Sequence, residues 1–148
     1  MKRIRKILYA TDYSKASDRA LEEAVNLAKQ NEAELLVVHV LEPIPYAGGE
    51  EFGGAELYIR LEDATKREAQ TSMAKIMRRL QRSTVKAKSL LLRGSAHDQI
   101  VKAAKSRKVD MIVIGTHGRT GLSKLFMGSV AAKVVSAATC PVVTVRGK

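Results

Sequence analysis

The sequence contains a single cysteine, Cys140, so no disulfide can form within the chain. A lone thiol beside Pro141 is typical of a small apolar core residue in a reducing compartment. Long hydrophobic runs are also absent. The basic N-terminus is followed only by the short apolar run 7–10, which is too short for the apolar part of a secretory signal. The run 111–114 has the same length, whereas a membrane span needs about 20 apolar residues. We therefore expect a cytoplasmic protein with no membrane span and no secretory signal.

Aromatic residues are scarce, at 4% of the chain, while basic residues are abundant. The 26 Lys and Arg outnumber the 15 Asp and Glu, which gives a formal net charge of +11. The stretch Lys66–Lys108 holds thirteen of the basic residues and only two acidic ones. Such a surface attracts nucleic acid, anionic membranes or phosphate ligands. We favour a solvated basic face over a nucleic-acid interface, because the stretch lacks interleaved aromatic side chains on which bases stack.

Five short apolar runs are separated by four segments with apolar residues at helical spacing. Three of the runs are nearly continuous and β-branched, which is typical of strands covered on both faces. The alternation predicts an α/β fold, with one open parallel sheet and helices on both of its faces. The predicted strands are Ile4–Ala10, Glu34–Leu41, Lys88–Leu92, Met111–Gly115 and Pro141–Val145, and the predicted helices are Ser17–Asn31, Leu57–Arg82, Ala96–Arg107 and Ser129–Ala138.

The connection Glu42–Glu56 is longer than the two to six residues typical of a link in an α/β sheet. It contains two prolines and two glycine pairs and follows the second predicted strand. It therefore lies at the edge of the sheet where the strands end. A ligand lid and a simple surface excursion both remain open for it.

The segment after the fourth predicted strand is rich in glycine and leads into a helix. Glycines let the main chain turn sharply and approach a ligand, and the unpaired amides at a helix N-terminus favour an anion. The Ser129 hydroxyl and the positive charge of Arg119 would add to such a phosphate site. Glycine loops of this spacing also occur in ordinary turns. The chain has neither a G-x-x-x-x-G-K-[ST] motif nor a G-x-G-x-x-G motif after its first strand.

The three histidines are not spaced as metal ligands, and Cys140 does not complete a metal site. His39, within a strand, is expected to be a hydrogen-bonded core residue. His117, inside the glycine-rich segment, is the histidine expected near a ligand. Asp12 could orient a metal or a water molecule, or it could cap the loop before the first helix.

The glycine-rich segment reads Gly115-x2-Gly118-x9-Gly128-Ser129 and resembles the G-x2-G-x9-G-[ST] motif of the ATP-binding universal stress proteins. The similarity extends along nearly the whole chain and includes segments 6–14, 37–40, 110–115 and 141–145. It implies one universal stress protein domain over residues 1–148, with an adenine nucleotide alpha hydrolase-like fold and strand order 3-2-1-4-5. It also implies a homodimer that forms by edge pairing of the last strand, Pro141 to Arg146.

The same resemblance implies the residues of a nucleotide site. Ala10 and Asp12 would lie beside the nucleoside, and the main chain of Val40 would meet the adenine. Ribose and phosphates would be wrapped by Gly115, Thr116, His117, Gly118, Arg119, Thr120 and Gly121, and the phosphates would be held at the helix start by Gly128, Ser129 and Val130. The ligand implied is ATP, with Mg²⁺ carried on its phosphates because the sequence shows no metal cluster.

The function expected is that of a nucleotide-dependent regulatory module of the stress response. A slow ATPase is an alternative, for which Asp12 and His117 are the candidate residues. A nucleic-acid-binding adaptor with the same fold is another. The chain departs from the family pattern in two respects. The segment 94–97 lacks the proline often found two residues after Gly94, and the strong positive charge is not a general family feature.

Overall fold

The structure is a computed structural model that describes residues 2–46, 49, 53–117 and 127–147. Strands and helices alternate along the chain, as the sequence predicts. The strands are β1 (Lys6–Ala10), β2 (Glu34–Leu41), β3 (Ala87–Arg93), β4 (Met111–Gly115) and β5 (Val142–Val145), and the helices are α1 (Lys15–Asn31), α2 (Gly54–Gln81), α3 (Ala96–Ser106) and α4 (Ser129–Ala137).

The five strands form one parallel sheet in the order β3-β2-β1-β4-β5, which confirms the expected fold class and strand order. The central strand β1 pairs with β2 on one side and with β4 on the other. Its residues Ile7, Leu8 and Tyr9 are fully buried. Strand order reverses between β1 and β4, because α1 leads from β1 to one side of the sheet and β4 lies on the other.

Alternate strand residues feed two apolar clusters, one on each face of the sheet. On one face, Ile7, Leu35 and Val113 pack with residues of α1 and α2, including Leu21 and Met73. On the other face, strand residues such as Leu8 and Ile112 pack with α3 and α4, through Ile100, Ala104 and Val134. The sheet is therefore covered on both sides, which explains why its strands are continuous apolar runs.

The helix boundaries differ slightly from those predicted. Helix α1 begins at Lys15 because the Ser14 side chain caps it and accepts a hydrogen bond from the Ser17 amide at 3.2 Å. Ser17 itself is buried inside the helix rather than placed at its cap. Helix α2 begins at Gly54, three residues before the predicted start, and runs for 28 residues.

Each helix runs back across the sheet, so the carboxyl ends of all strands meet at one edge and the amino ends at the opposite edge. We call these the carboxyl edge and the amino edge. The links that follow β1, β2, β3 and β4 all begin at the carboxyl edge. Among the residues that the structure describes, no helix is long and apolar enough to cross a membrane.

Candidate functional site

A cavity of about 490 Å³ opens at the carboxyl edge, over the point where strand order reverses. It collects residues from the ends of β1, β2 and β4 and from the starts of α3 and α4. Nine of the thirteen residues implied by the resemblance line it: Ala10, Asp12, Val40, Gly115, Thr116, His117, Gly128, Ser129 and Val130. The other four, Gly118, Arg119, Thr120 and Gly121, lie outside the described residues.

The floor of the cavity is a hydrogen-bonded group of buried hydroxyls. Tyr9 donates its hydroxyl to the Ser17 carbonyl at 2.6 Å, and the Ser17 hydroxyl donates to Thr11 Oγ1 at 2.9 Å. Thr11 and Ser17 are almost completely buried. Burial raises the pKa of the Tyr9 phenol, so this group stays protonated and keeps its donor role. The network fixes the turn between β1 and α1, on which the adjoining side of the cavity depends.

Asp12 lies in this turn and has a structural partner as well as a place at the cavity. Its Oδ1 accepts a hydrogen bond from the Ser14 amide at 2.9 Å, which is an Asx turn just before the helix cap. The side chain is half-buried and lines the cavity. The role of Asp12 in the turn is confirmed, and its place in the cavity lining keeps a role near a ligand as a prediction.

His39 is half-buried and lines the cavity, although a core position was expected for it. It is hydrogen-bonded, as expected, with its Nδ1 2.8 Å from the Thr11 carbonyl oxygen. A carbonyl oxygen only accepts, so Nδ1 carries the proton. The ring stacks on Tyr13, with 4.2 Å between the ring centroids. Strand β2 ends two residues later, and this position near the strand end is the sequence signal that His39 lines the cavity.

Tyr13 connects the same turn to helix α2. Its φ of 64° lies in the left-handed region, which is uncommon for a bulky residue. Its hydroxyl donates to the Ala69 carbonyl at 2.9 Å, and its amide donates to Thr11 Oγ1 at 3.0 Å. Backbone strain of this kind persists where surrounding contacts hold the residue in place. Here the hydrogen bonds to Ala69 and Thr11 hold Tyr13, directly after Asp12, in this conformation.

The first turn of α4 lines the cavity. The Gly128 amide donates to the Thr116 carbonyl, and the Gly128 cap has no side-chain partner. The next three residues, Ser129, Val130 and Ala131, all line the cavity. Their amides belong to the first turn, where a helix supplies no acceptor. Gly128 thus closes the loop, and the donors available to an anion come from the three residues after it, including Ala131, which the sequence did not single out.

The opposite side of the cavity is largely apolar. It is formed by the end of β2 and by the first turns of α3. The sequence-based site omitted all of this side except Val40. The omitted apolar residues of this side are Val38, Leu41, Ala96 and Ile100, and Ile114 at the end of β4 was omitted as well. Helix α3 follows β3 and therefore starts at the carboxyl edge. The position of Ile100 beside β1 depends in addition on the order of the strands in the sheet.

The described lining is short of positive charge. Its ionisable residues include two carboxylates, Asp12 and Glu42, and two histidines, and none is a lysine or arginine. No group of three or more potential metal ligands lies together in the described ranges. His117 has its Nδ1 3.0 Å from Thr116 Oγ1. Asp12 and His117 do line the same cavity, so hydrolysis stays an alternative prediction.

The long connection after β2 also reaches the cavity, through Glu42. Further along, Tyr46 packs edge-on against Tyr58 of α2, with ring centroids 5.2 Å apart. Residues 47–48 and 50–52 of this connection lie outside the described residues. Its role as a lid or as a surface excursion stays open.

Comparison with known proteins agrees with this architecture. The model of the universal stress protein family matches residues 3–146. A universal stress protein of Thermus aquaticus is 41% identical over 140 residues, which cover 95% of this chain and 97% of that protein. The solved structure of universal stress protein UspA from Lactobacillus plantarum superposes with a TM-score of 0.87 at 26% identity, covering 99% of this chain and all of the other.

A solved relative also holds a nucleotide. The universal stress protein of Archaeoglobus fulgidus, described in complex with dAMP, superposes with a TM-score of 0.70 at 26% identity and covers 98% of this chain and 99% of its own. The family model, the Thermus aquaticus relative and the superposition on the Lactobacillus plantarum structure agree over nearly the full length. This chain belongs to the universal stress protein family.

Proposed function

We propose that this chain binds an adenine nucleotide, ATP, in the cavity at the carboxyl edge, and that it acts as a nucleotide-dependent regulatory module. The proposal depends on the first turn of α4, because Ser129, Val130 and Ala131 line a cavity of about 490 Å³ and the helix itself supplies no acceptor for their amides. Cavities of about 300–1,000 Å³ are typical of small-molecule sites. The dAMP-bound relative supports the same ligand class.

The two sides of the cavity suit the two ends of a nucleotide. The apolar side, with Val38, Val40 and Ile100, offers area for a flat base, and the main chain at Val40 offers polar groups for the base edge. The α4 side offers the three amides and the Ser129 hydroxyl to phosphate oxygens. Gly115 would permit close approach between these sides, since it adds no side chain at the end of β4.

Mg²⁺ fits this site only as an ion held mainly by the nucleotide. Asp12 is a single carboxylate near the reversal point, and Mg²⁺ commonly binds one or two carboxylates together with substrate phosphates. The ion would offset the repulsion between Asp12 and a triphosphate. Arg119, in the segment 118–126 outside the described residues, is the cation that the sequence offers for the same purpose.

Ligand occupancy can regulate the protein only through a difference in affinity between two of its states. Asp12, Thr11 and Tyr13 connect the cavity to α2, because the Tyr13 hydroxyl is bound to the Ala69 carbonyl. This contact gives a physical route by which a bound nucleotide could alter the outer surface of α2. A partner that binds that surface would then respond to ATP.

The sharpest test removes one amide from the start of α4 without breaking the helix. Ser129 is the first residue of α4, where proline is tolerated, and Gly128 has φ −59° and ψ 155°, which a following proline accepts. Ser129→Pro deletes the amide and the hydroxyl, whereas Ser129→Ala deletes the hydroxyl alone. A hydrogen bond to a charged group contributes about 1.5–3 kcal/mol, so Ser129→Pro should weaken ATP binding roughly tenfold or more, as measured by calorimetry.

Ser129→Ala, which loses the hydroxyl alone, should bind ATP more weakly than the wild type and more tightly than Ser129→Pro, and both variants should unfold near the wild-type temperature. Equal ATP affinity for wild type and Ser129→Pro would contradict phosphate binding at α4. Absence of heat with ATP, ADP and AMP alike in the wild type would contradict the proposed function as a whole.

A further inference from the structure

The amino edge of the sheet, opposite the cavity, carries eleven of the 26 lysines and arginines of the chain. The ends of α2 and α3 and the starts of β1 and β3 meet there, because every helix runs back against the strands. Residues 2–5, 78–88 and 105–108 contain eleven lysines and arginines, all exposed, and no acidic residue. We call the exposed lysines and arginines of these three segments the basic pole.

Main-chain contacts hold the three segments side by side. The Glu34 amide donates to the Arg5 carbonyl, and the Leu35 amide donates to the Lys86 carbonyl, so the starts of β1, β2 and β3 lie in a row. The Lys6 ammonium donates to the Arg107 carbonyl at 3.2 Å, which adds the end of α3 to this row. The basic pole is therefore one continuous surface rather than scattered charge.

Most of this charge is not neutralised within the protein. Four of the eleven cations lie within 4.0 Å of a carboxylate, in the pairs Lys2–Asp110, Arg3–Glu32, Arg79–Glu22 and Lys88–Glu34. The other seven have no carboxylate within that distance in the described ranges. Cations in the last turn of a helix interact favourably with the helix dipole. This interaction explains the positions of only three of the eleven cations, Arg78, Arg79 and Lys105.

The sequence alone favours a solvated basic face, but the adjacency of the three segments and their unpaired cations lead us to propose that the basic pole binds the sugar–phosphate backbone of nucleic acid without reading its sequence. A row of unpaired cations complements the regular negative charge of a duplex. The pole has no exposed aromatic side chain on which bases could stack, so its contacts are with phosphates rather than with bases. This inference is independent of the nucleotide cavity, which lies at the opposite edge.

An anionic membrane suits this surface less well. Peripheral membrane binding combines cations with an apolar face that enters the lipid. The exposed large hydrophobic residues of the described ranges are Tyr46, Leu57, Ile59, Leu61, Met127 and Val135. The first five lie before or in the first half of α2 or just before α4, near the carboxyl edge, and Val135 stands alone in α4.

The size of the pole sets the expected salt dependence. Three strand spacings, from β3 to β4, cover about 14 Å, over which a duplex carries about eight charges. Roughly half of these would face the protein, which gives about four phosphate contacts and a slope of log K against log salt near −3.6. The affinity should fall roughly 150-fold between 50 and 200 mM salt.

The test compares two triple variants with the same net charge. Arg82→Gln, Lys86→Gln and Arg107→Gln change the pole on three different elements, whereas Lys15→Gln, Arg19→Gln and Lys66→Gln change exposed cations elsewhere. Each set lowers the formal net charge from +11 to +8 by removing three of the 26 basic residues. Fluorescence anisotropy with a labelled 20-base-pair DNA duplex measures binding from 50 to 200 mM salt, and thermal unfolding checks that both variants fold.

We expect the pole variant to lose most of the duplex affinity and about two to three units of the salt slope, while the control variant stays near the wild type. Equal losses in the two variants would overturn the proposal, because the binding would then reflect net charge alone. Absence of duplex binding by the wild type at 50 mM salt would overturn it as well. Tighter binding to phosphatidylserine vesicles than to the duplex would assign the pole to a membrane instead.

Discussion

At the residue scale, Asp12 combines a structural contact with a position at the cavity. Its Oδ1 accepts the Ser14 amide, and asparagine would keep that acceptor while removing the negative charge. Asp12→Asn therefore separates the turn from the electrostatics.

We expect Asp12→Asn to weaken ATP binding about tenfold when Mg²⁺ is present, because a carboxylate partner of the ion is lost. In EDTA the same variant should bind ATP several-fold more tightly than the wild type, because repulsion of the phosphates is relieved. Isothermal titration calorimetry in both conditions checks this, with Glu42→Gln as the control at the cavity mouth. A uniform change with and without Mg²⁺ would count against a role for Asp12 near the ion.

A residue of the candidate site could be predicted from the sequence where it belongs to a motif. It could not be predicted where it reaches the cavity only through the packing of helices and strands. Gly115, Ser129 and Val130 belong to a recognisable glycine–helix pattern, and they line the cavity. Ile100 carries no such mark, because its place depends on how α3 crosses the sheet. His39 was assigned to the core since apolar neighbours surround it in sequence, but the strand ends two residues later.

At the scale of elements, Asp110 joins the start of β4 to the start of β1. Its Oδ2 accepts the amides of Arg5 and Lys6 at 2.9 and 3.0 Å. These amides hold the pKa of the Asp110 carboxyl below its usual range, because they favour the charged form. A group whose pKa is lowered by folding stabilises the protein above its ordinary pKa, and this stability is lost as the pH falls through the lower, folded value.

Asp110→Asn should therefore lower the free energy of unfolding by about 1–3 kcal/mol at pH 7. The difference from the wild type should shrink below about pH 4, the usual range of an aspartate, where the wild-type carboxyl also loses its charge. Urea unfolding at several pH values measures it, with the exposed Asp63→Asn as a matched variant. A difference that is constant from pH 7 to pH 3 would show that the charge of Asp110 is not responsible.

Element type followed from the sequence more reliably than element ends. Strands β2 and β4 have the predicted bounds, because β-branched runs bordered by polar residues mark both of their ends. Helix α2 starts at Gly54 with Gly53 as its cap, and neither glycine is a helix-favouring signal. The Glu62 carboxylate binds both Tyr58 and Arg93 of β3, so tertiary contacts help to hold the first half of this helix in place.

At the scale of the whole molecule, the two outer strands of the sheet differ in charge. Strand β3 carries Lys88 and Arg93, and such cations discourage pairing with another sheet edge. Strand β5 consists of Val142, Val143, Thr144 and Val145 and carries no charge. Within the described ranges it pairs with β4 alone, so its outer edge offers main-chain groups to a second copy of the chain.

The homodimer through residues 141–146 remains a prediction, and sedimentation velocity can test it. The wild type should sediment at about twice the chain mass of 16.2 kDa. Thr144→Lys places a cation on an exposed position of β5 and should shift the protein to the monomer without unfolding it. Ser136→Lys, also exposed but outside the strand, should leave the dimer unchanged. A wild type that sediments as a monomer would contradict pairing through this edge.

The hydrogen bond from the Gly128 amide to the Thr116 carbonyl ties together the two main chains that border residues 118–126. The Thr116 amide is in turn anchored to the Val145 carbonyl at 2.9 Å. We therefore expect the start of α4 to stay beside the end of β4 when residues 118–126 are replaced, because this contact uses main-chain atoms outside that segment. A short glycine–serine graft in its place would leave the sheet intact, and the loss of ATP affinity would measure what the natural segment adds.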